Sequence, residues 1–125
     1  MNANEWYRDQ FVPVILGTDR EGRQLARTLF RNYGAVSHLL CERRSPWLRF
    51  IPWLICHPIS SSDVTQLALQ DLAADIIATD RTPLLYITPG AASCLSPDAL
   101  TALEASFILC QNPDDPFCQI GGLLP

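Results

Sequence analysis

The sequence predicts an α/β three-layer sandwich built on a mainly parallel sheet of about five strands, in a chain of 125 residues. Three observations carry that expectation. Short runs rich in β-branched residues alternate with longer stretches whose apolar residues recur at three- and four-residue steps. Helix-start signals fall just after those runs end. The runs are continuously apolar, as in strands covered on both faces. Strands that alternate with helices give a parallel sheet with helices on both sides. The first strand then belongs near its centre.

The stretch Phe11 to Gly34, FVPVILGTDREGRQLARTLFRNYG, shows the pattern most fully. Val12, Val14, Ile15 and Leu16 form the first strand, and Gly17 ends it. Thr18 offers a cap oxygen and Glu21 stands three residues later, the spacing of a capping box. Gly22, Leu25, Ala26, Leu29, Phe30 and Tyr33 then line one helical face. Arg23, Arg27 and Arg31 form a stripe on another, read as a solvated face. Gly34 is the expected residue just past the helix end.

Farther along, Val36 to Cys41 reads as strand two, and Glu42 to Pro46 as a charged break. Phe50 to His57 reads as strand three, with Pro52 near its start or at an edge. The link between these two strands is too short for an ordinary helix, and a parallel crossover usually takes a dozen or more residues. Ser60 to Ser62 cap a second helix, with Val64, Leu67, Ala68, Leu72 and Ile76 as its apolar face, ending near Thr79. Arg81-Thr82-Pro83 reads as a break, and Leu84 to Thr88 as strand four, closed by Pro89-Gly90. Ser96-Pro97-Asp98 supplies a cap, a first-turn proline and an acid near the helix dipole. Phe107 to Cys110 is strand five. Residues 1–112 form the folded domain, and the proline- and glycine-rich 113–125 read as a linker-like tail.

Composition narrows the function classes. The formal charge is −4, with nine arginines and no lysine. An acidic chain argues against a general nucleic-acid binder. The absence of lysine removes Schiff-base and P-loop lysine chemistry. Residues 1–10 contain no apolar signal-peptide core, and no apolar run suits a membrane span. Five cysteines without paired spacing fit free thiols in the cytoplasm.

Ligands of parallel sheets bind beyond the carboxyl ends of the strands. Those ends here are Gly17-Thr18-Asp19, Cys41-Glu42, His57 and Pro89-Gly90. Gly17 and Gly22 have the glycine spacing of a P-loop, but Arg23 and Gln24 follow where Lys and Ser/Thr are needed. Asp19 replaces the second glycine of the dinucleotide fingerprint, and its charge repels pyrophosphate. What remains is a helix start able to hold an anion. Cys56 and His57 are adjacent, so on a strand they point to opposite faces and cannot form a nucleophile–base pair. Cys41, Cys56, His57 and Cys110 fall near strand ends but lack close-spaced ligand pairs, so no metal site and no catalytic residue is assigned. Trp47, Phe50 and Trp53, flanked by Arg43, Arg44 and Arg49, suggest an interface or simple packing on the sheet.

The opening unit resembles the start of ATP-grasp carboxylate–amine ligases, the group that includes D-aspartate ligase-like enzymes. The shared features are Phe11-Val12-Pro13-Val14, Gly17-Thr18-Asp19, Ala26-Arg27 and Tyr33-Gly34. The later order of elements is similar over most of the chain, whereas specific motifs are confined to the first unit. At strand four, relatives tend to carry a Cys-Gly-Asp-like turn where this chain has Thr88-Pro89-Gly90-Ala91. The resemblance implies a Rossmann-like pre-ATP-grasp domain that forms the acceptor-substrate side of the ligase site. It implies a small carboxylate or amino acid as ligand, held at Gly17, Thr18, Asp19 and Gly90. ATP and magnesium would be bound by a catalytic ATP-grasp domain that follows, and no cofactor is expected within these residues. The partner is then that downstream domain or a second copy in a homodimer, with neither nucleic acid nor membrane involved. The other class of reading is a stand-alone interaction or small-ligand-binding domain with no ligase role.

Overall fold

The computed structural model describes residues 9–17, 19–41, 51–58, 62–88 and 96–110. The elements run β1 (Phe11–Leu16), α1 (Asp19–Tyr33), β2 (Ser37–Cys41), β3 (Leu54–Pro58), α2 (Ser62–Ile77), β4 (Thr82–Ile87), α3 (Pro97–Leu103) and β5 (Ile108–Cys110). The five strands form one sheet in the order β3-β2-β1-β4-β5, and every described ladder is parallel. This is a Rossmann-like α/β arrangement with β1 at the centre, as the sequence predicts.

Register assigns the side chains to faces. Val14 lies beside His38 on one flank and Leu85 on the other, and Ile15 lies beside Leu39 and Tyr86. The Ile15 face carries Phe11, Leu39, Leu54 and Leu84, packed on Ala26 and Leu29 of α1. The Val14 face carries Val12, Leu16, Leu40 and Leu85, packed on Leu69, Ala73 and Ile76 of α2 and Leu103 of α3. Continuous apolar runs on β1 and β4 thus follow from cover on both sides.

The helix signals act as their chemistry requires. The Ser96 side chain accepts from Ala99 N at 3.1 Å, with Pro97 in the first turn. Gly34 has φ 70° and its N–H donates to Phe30 O at 2.8 Å, closing α1. The predicted cap Thr18 lies outside the described residues.

Several expectations change: β2 starts at Ser37, one residue after the expected Val36, and β4 runs from Thr82 to Ile87, so Thr88 lies just past its end. Strand three begins at Leu54, because Pro52 and Trp53 form a turn. The β2–β3 link therefore lengthens to residues 42–53, about the dozen a parallel crossover takes. Pro83 belongs to β4 and is no break. On α2, Ile76 is buried and Ala68 and Leu72 pack against the core as expected, but Leu67 is 60% exposed, and Thr65, Leu69 and Ala73 supply the rest of the buried stripe. That helix carries apolar residues on several sides, so periodicity alone could not choose which stripe faces the sheet. Strand five is shorter at its start, with Phe107 just before it.

Candidate functional site

The switch point of this sheet lies between β1 and β4, where the chain order reverses. Gly17 stands at the carboxyl end of β1, and Thr88 follows the end of β4. Gly17 N donates to Leu40 O at 3.2 Å, and Thr88 N donates to Leu16 O at 3.0 Å. Both are buried. A methyl group on Gly17 would lie 2.6 Å from Thr88 Oγ1 and 2.7 Å from Thr88 Cγ2. Glycine is therefore required here for close approach of the two strand ends. The Thr88 hydroxyl is buried and has no hydrogen-bond partner among the described residues.

Helix α1 starts at Asp19, just past the carboxyl end of β1, so its N-terminal dipole lies at the edge of the sheet where ligands of such folds bind. Of the predicted ligand residues, Gly17 sits at the switch point and Asp19 begins α1. Thr18 and Gly90 lie outside the described residues. Gly22 has a packing reason: a Cβ there would overlap Leu39 Cδ1, so the P-loop-like glycine spacing reflects how closely α1 sits on the sheet. A depression of about 170 Å³ lined by Phe11, Gly34, Val36 and Arg81 lies at the opposite, amino end of β1.

Among the predicted interface residues, Trp53 is half-buried and stacks on Phe30 of α1, ring centroids 6.2 Å apart. Trp47 and Phe50 lie outside the described residues. Arg27 and Arg31 are exposed on the flank of α1.

The strand register separates Cys56 from His57, as the alternation of a strand demands. Cys56 packs on the α1 side of the sheet, and His57 points to the other. His57 instead meets a residue that sequence reasoning passed over. His38 pairs in register with Ile55, which places His38, Ile55 and His57 on one face of adjoining strands. His38 Nδ1 and His57 Nε2 lie 2.9 Å apart, one ring donating and the other accepting. The ring planes are 19° apart and the centroids 5.2 Å apart. That separation exceeds the nitrogen distance by about two ring radii. The two nitrogens therefore lie nearly on the line between the ring centres, in an edge-to-edge hydrogen bond instead of a face-to-face stack.

Burial, and secondarily the charge of His57, lowers His38 from the ordinary 6.5 to about 4. Burial lowers His57 as well. Both rings are neutral at pH 7, and the pair holds one hydrogen between its inner nitrogens. The only signal in sequence was that these are the chain's two histidines, one on each of two successive strands.

Among the described residues there is no group of three or more histidines, cysteines or carboxylates able to hold a metal ion. No helix among them is long and apolar enough to cross a membrane. Comparison with models of known families, with curated proteins and with solved structures returns no match for this chain.

Proposed function

We propose that this chain is a pre-ATP-grasp-like domain that supplies the acceptor-substrate side of an ATP-dependent carboxylate–amine ligase and performs no catalysis by itself. The observation that supports this reading is the placement of its most family-like stretch. Phe11 to Gly34 forms the central strand, the turn and the first helix, and its turn opens at the switch point. A carboxylate there would face the N-terminus of α1. The ligand class is accordingly a small carboxylate or an amino acid. Phosphoryl transfer needs cations and metal to offset developing charge. The chain has no lysine, and its glycine turn carries Asp19 and Glu21, so ATP and magnesium belong to a partner ATP-grasp domain. The cytoplasm, where its cysteines stay reduced, is the proposed compartment.

The test uses two measurements on purified protein. Backbone amide shifts of Gly17 and Thr88 are followed during titration with amino acids and dicarboxylates. Phosphate release is followed with ATP, magnesium and the same panel. Selective shifts at Gly17 and Thr88 without phosphate release are expected. Turnover that survives repurification and is lost in Asp19→Ala would overturn the non-catalytic part.

A second reading, a stand-alone interaction domain, is favoured by the β2–β3 side of the sheet, where Ile55 is 45% exposed. Absence of any amide shift with the panel, together with concentration-dependent self-association in sedimentation, would select it.

A further inference from the structure

We infer that α1 of one copy of this chain docks on α2 of the next, the arginines of the first helix meeting the aspartates of the second in a head-to-tail self-association. The contact uses the outer sides of the two helices and not the carboxyl edge of the sheet, so it goes beyond the acceptor-side reading.

Charge is the first argument. Helix α1 carries four of the chain's nine arginines against Asp19 and Glu21. Helix α2 carries Asp63, Asp71 and Asp75 and no basic residue. The two helices cover opposite faces of the sheet, α1 through Ala26 and Leu29, α2 through Leu69, Ala73 and Ile76. On the α2 side, α3 adds exposed Asp98 and its cap residue Glu104. One helical layer is therefore basic and the other acidic. Among the described residues, Arg20, Arg27, Arg31, Asp71 and Asp75 form no ion pair within the chain. Both sets are open to a second copy, which brings the complement of each.

Spacing is the second. Arg20, Gln24, Arg27 and Arg31 are all exposed and follow at four-, three- and four-residue steps, in one line along the outer side of α1. Leu67, Asp71 and Ala74 begin the same pattern on α2, also exposed, with Asp75 beside them. Arg27 and Arg31 stand four residues apart, as do Asp71 and Asp75, a rise of about 6 Å on either helix. Two guanidinium–carboxylate pairs can form together, each with parallel hydrogen bonds from the planar fork. The arginine stems would lie on apolar surface, which exposed Leu67 and the small Ala74 provide. Ile77 on α2 and Phe30 on α1 are further large apolar side chains left exposed on these helices.

Placement sets the form of the assembly. Surfaces on opposite sides of the molecule cannot both be buried in one two-fold pair. The contact is therefore heterologous and adds copies beyond two. Two helix faces make a small interface, so association is weak and transient.

Sedimentation of the full chain under reducing conditions, at low salt and at about 1 M salt, tests the contact. Wild type at low salt should gain mass with concentration and pass the dimer. At high salt its association should weaken at least about tenfold. Arg27→Glu/Arg31→Glu and Asp71→Arg/Asp75→Arg should each be monomeric, because like charges then meet. An equimolar mixture of the two variants should associate again, because each offers the other an opposite charge. Circular dichroism checks that both variants keep the fold. The salt series needs no variant, so it decides the matter even where a substitution unfolds the protein. A wild type that stays monomeric at low salt, or stops at a closed dimer, would overturn the proposal. So would association that high salt or either variant leaves unchanged, which would put the contact elsewhere, or a mixture that stays monomeric.

Discussion

The central strand pair and the edge pair of the same sheet are built to different rules. In β1 and β4, Val14, Ile15 and Leu84 are wholly buried and Leu85 nearly so, with helices over both faces. In β2 and β3, one face still packs through Leu39 and Leu54, but the other carries two histidines and the exposed Ile55. The difference follows from connectivity. The crossover that reverses the chain carries α2 over toward β4, and α3 follows it on the same face. Residues beyond Leu40 on that face are left at the margin of the cover. Polar chemistry accumulates where the helical layer ends, because a half-solvated imidazole costs far less there than in the centre.

The contrast makes graded predictions. Leu85→Ala removes atoms from a fully covered position that cannot collapse, and should cost about 3–4 kcal/mol in urea unfolding. A loss under 1 kcal/mol would mean that the central pair is not the rigid half. Gly17→Ala comes next, at about 1–3 kcal/mol, because the new methyl meets the Thr88 side chain. Its cost should fall when combined with Thr88→Ala, so a double-mutant cycle that came out additive would remove the proposed contact.

The third prediction concerns pH. Folded His38 and His57 titrate below the ordinary 6.5, so the unfolded chain binds protons more readily than the native one. Their stabilisation is complete above about pH 6.5 and declines as pH falls toward 4. The causes acting on His38 are burial and His57 itself. Solvent screening of these half-exposed rings holds the effect to about 1 kcal/mol. Unfolding curves of wild type and the His38→Gln/His57→Gln double variant should converge between pH 7 and pH 4.5. A constant gap across that range would show that the rings do not titrate in the folded state as described. Ile55→Thr is the smallest change, within about 0.5 kcal/mol, and differential scanning fluorimetry is enough to see it.

Much of the frame was readable from particular residues. Val12 to Leu16, the apolar face around Ala26 and Leu29, and the Ser96-Pro97 cap all form as local chemistry directs. Other assignments failed where local signals tie. Phe50 to Trp53 is as apolar as the strand it precedes, so strand three looked longer than its ladder. Leu67 looked like core because its helix has apolar residues on more than one side. The candidate site was legible only in part. Gly17 announced itself as a strand end, but nothing local pointed to Thr88 as the side chain that fills the space beside it.

What the sequence by itself determined is the alternation of strands and helices, the central place of β1 and the parallel class of the sheet. These follow from short-range terms: apolar period, β-branching, caps and glycine stops. Only the tertiary structure decided which stripe of α2 is buried and that His38 meets His57 on one face. Those outcomes depend on strand order and on a register in which a one-residue slip would turn either histidine to the opposite side. No local pattern encodes that pairing, because it arises from residues far apart in the chain sharing one layer of the core.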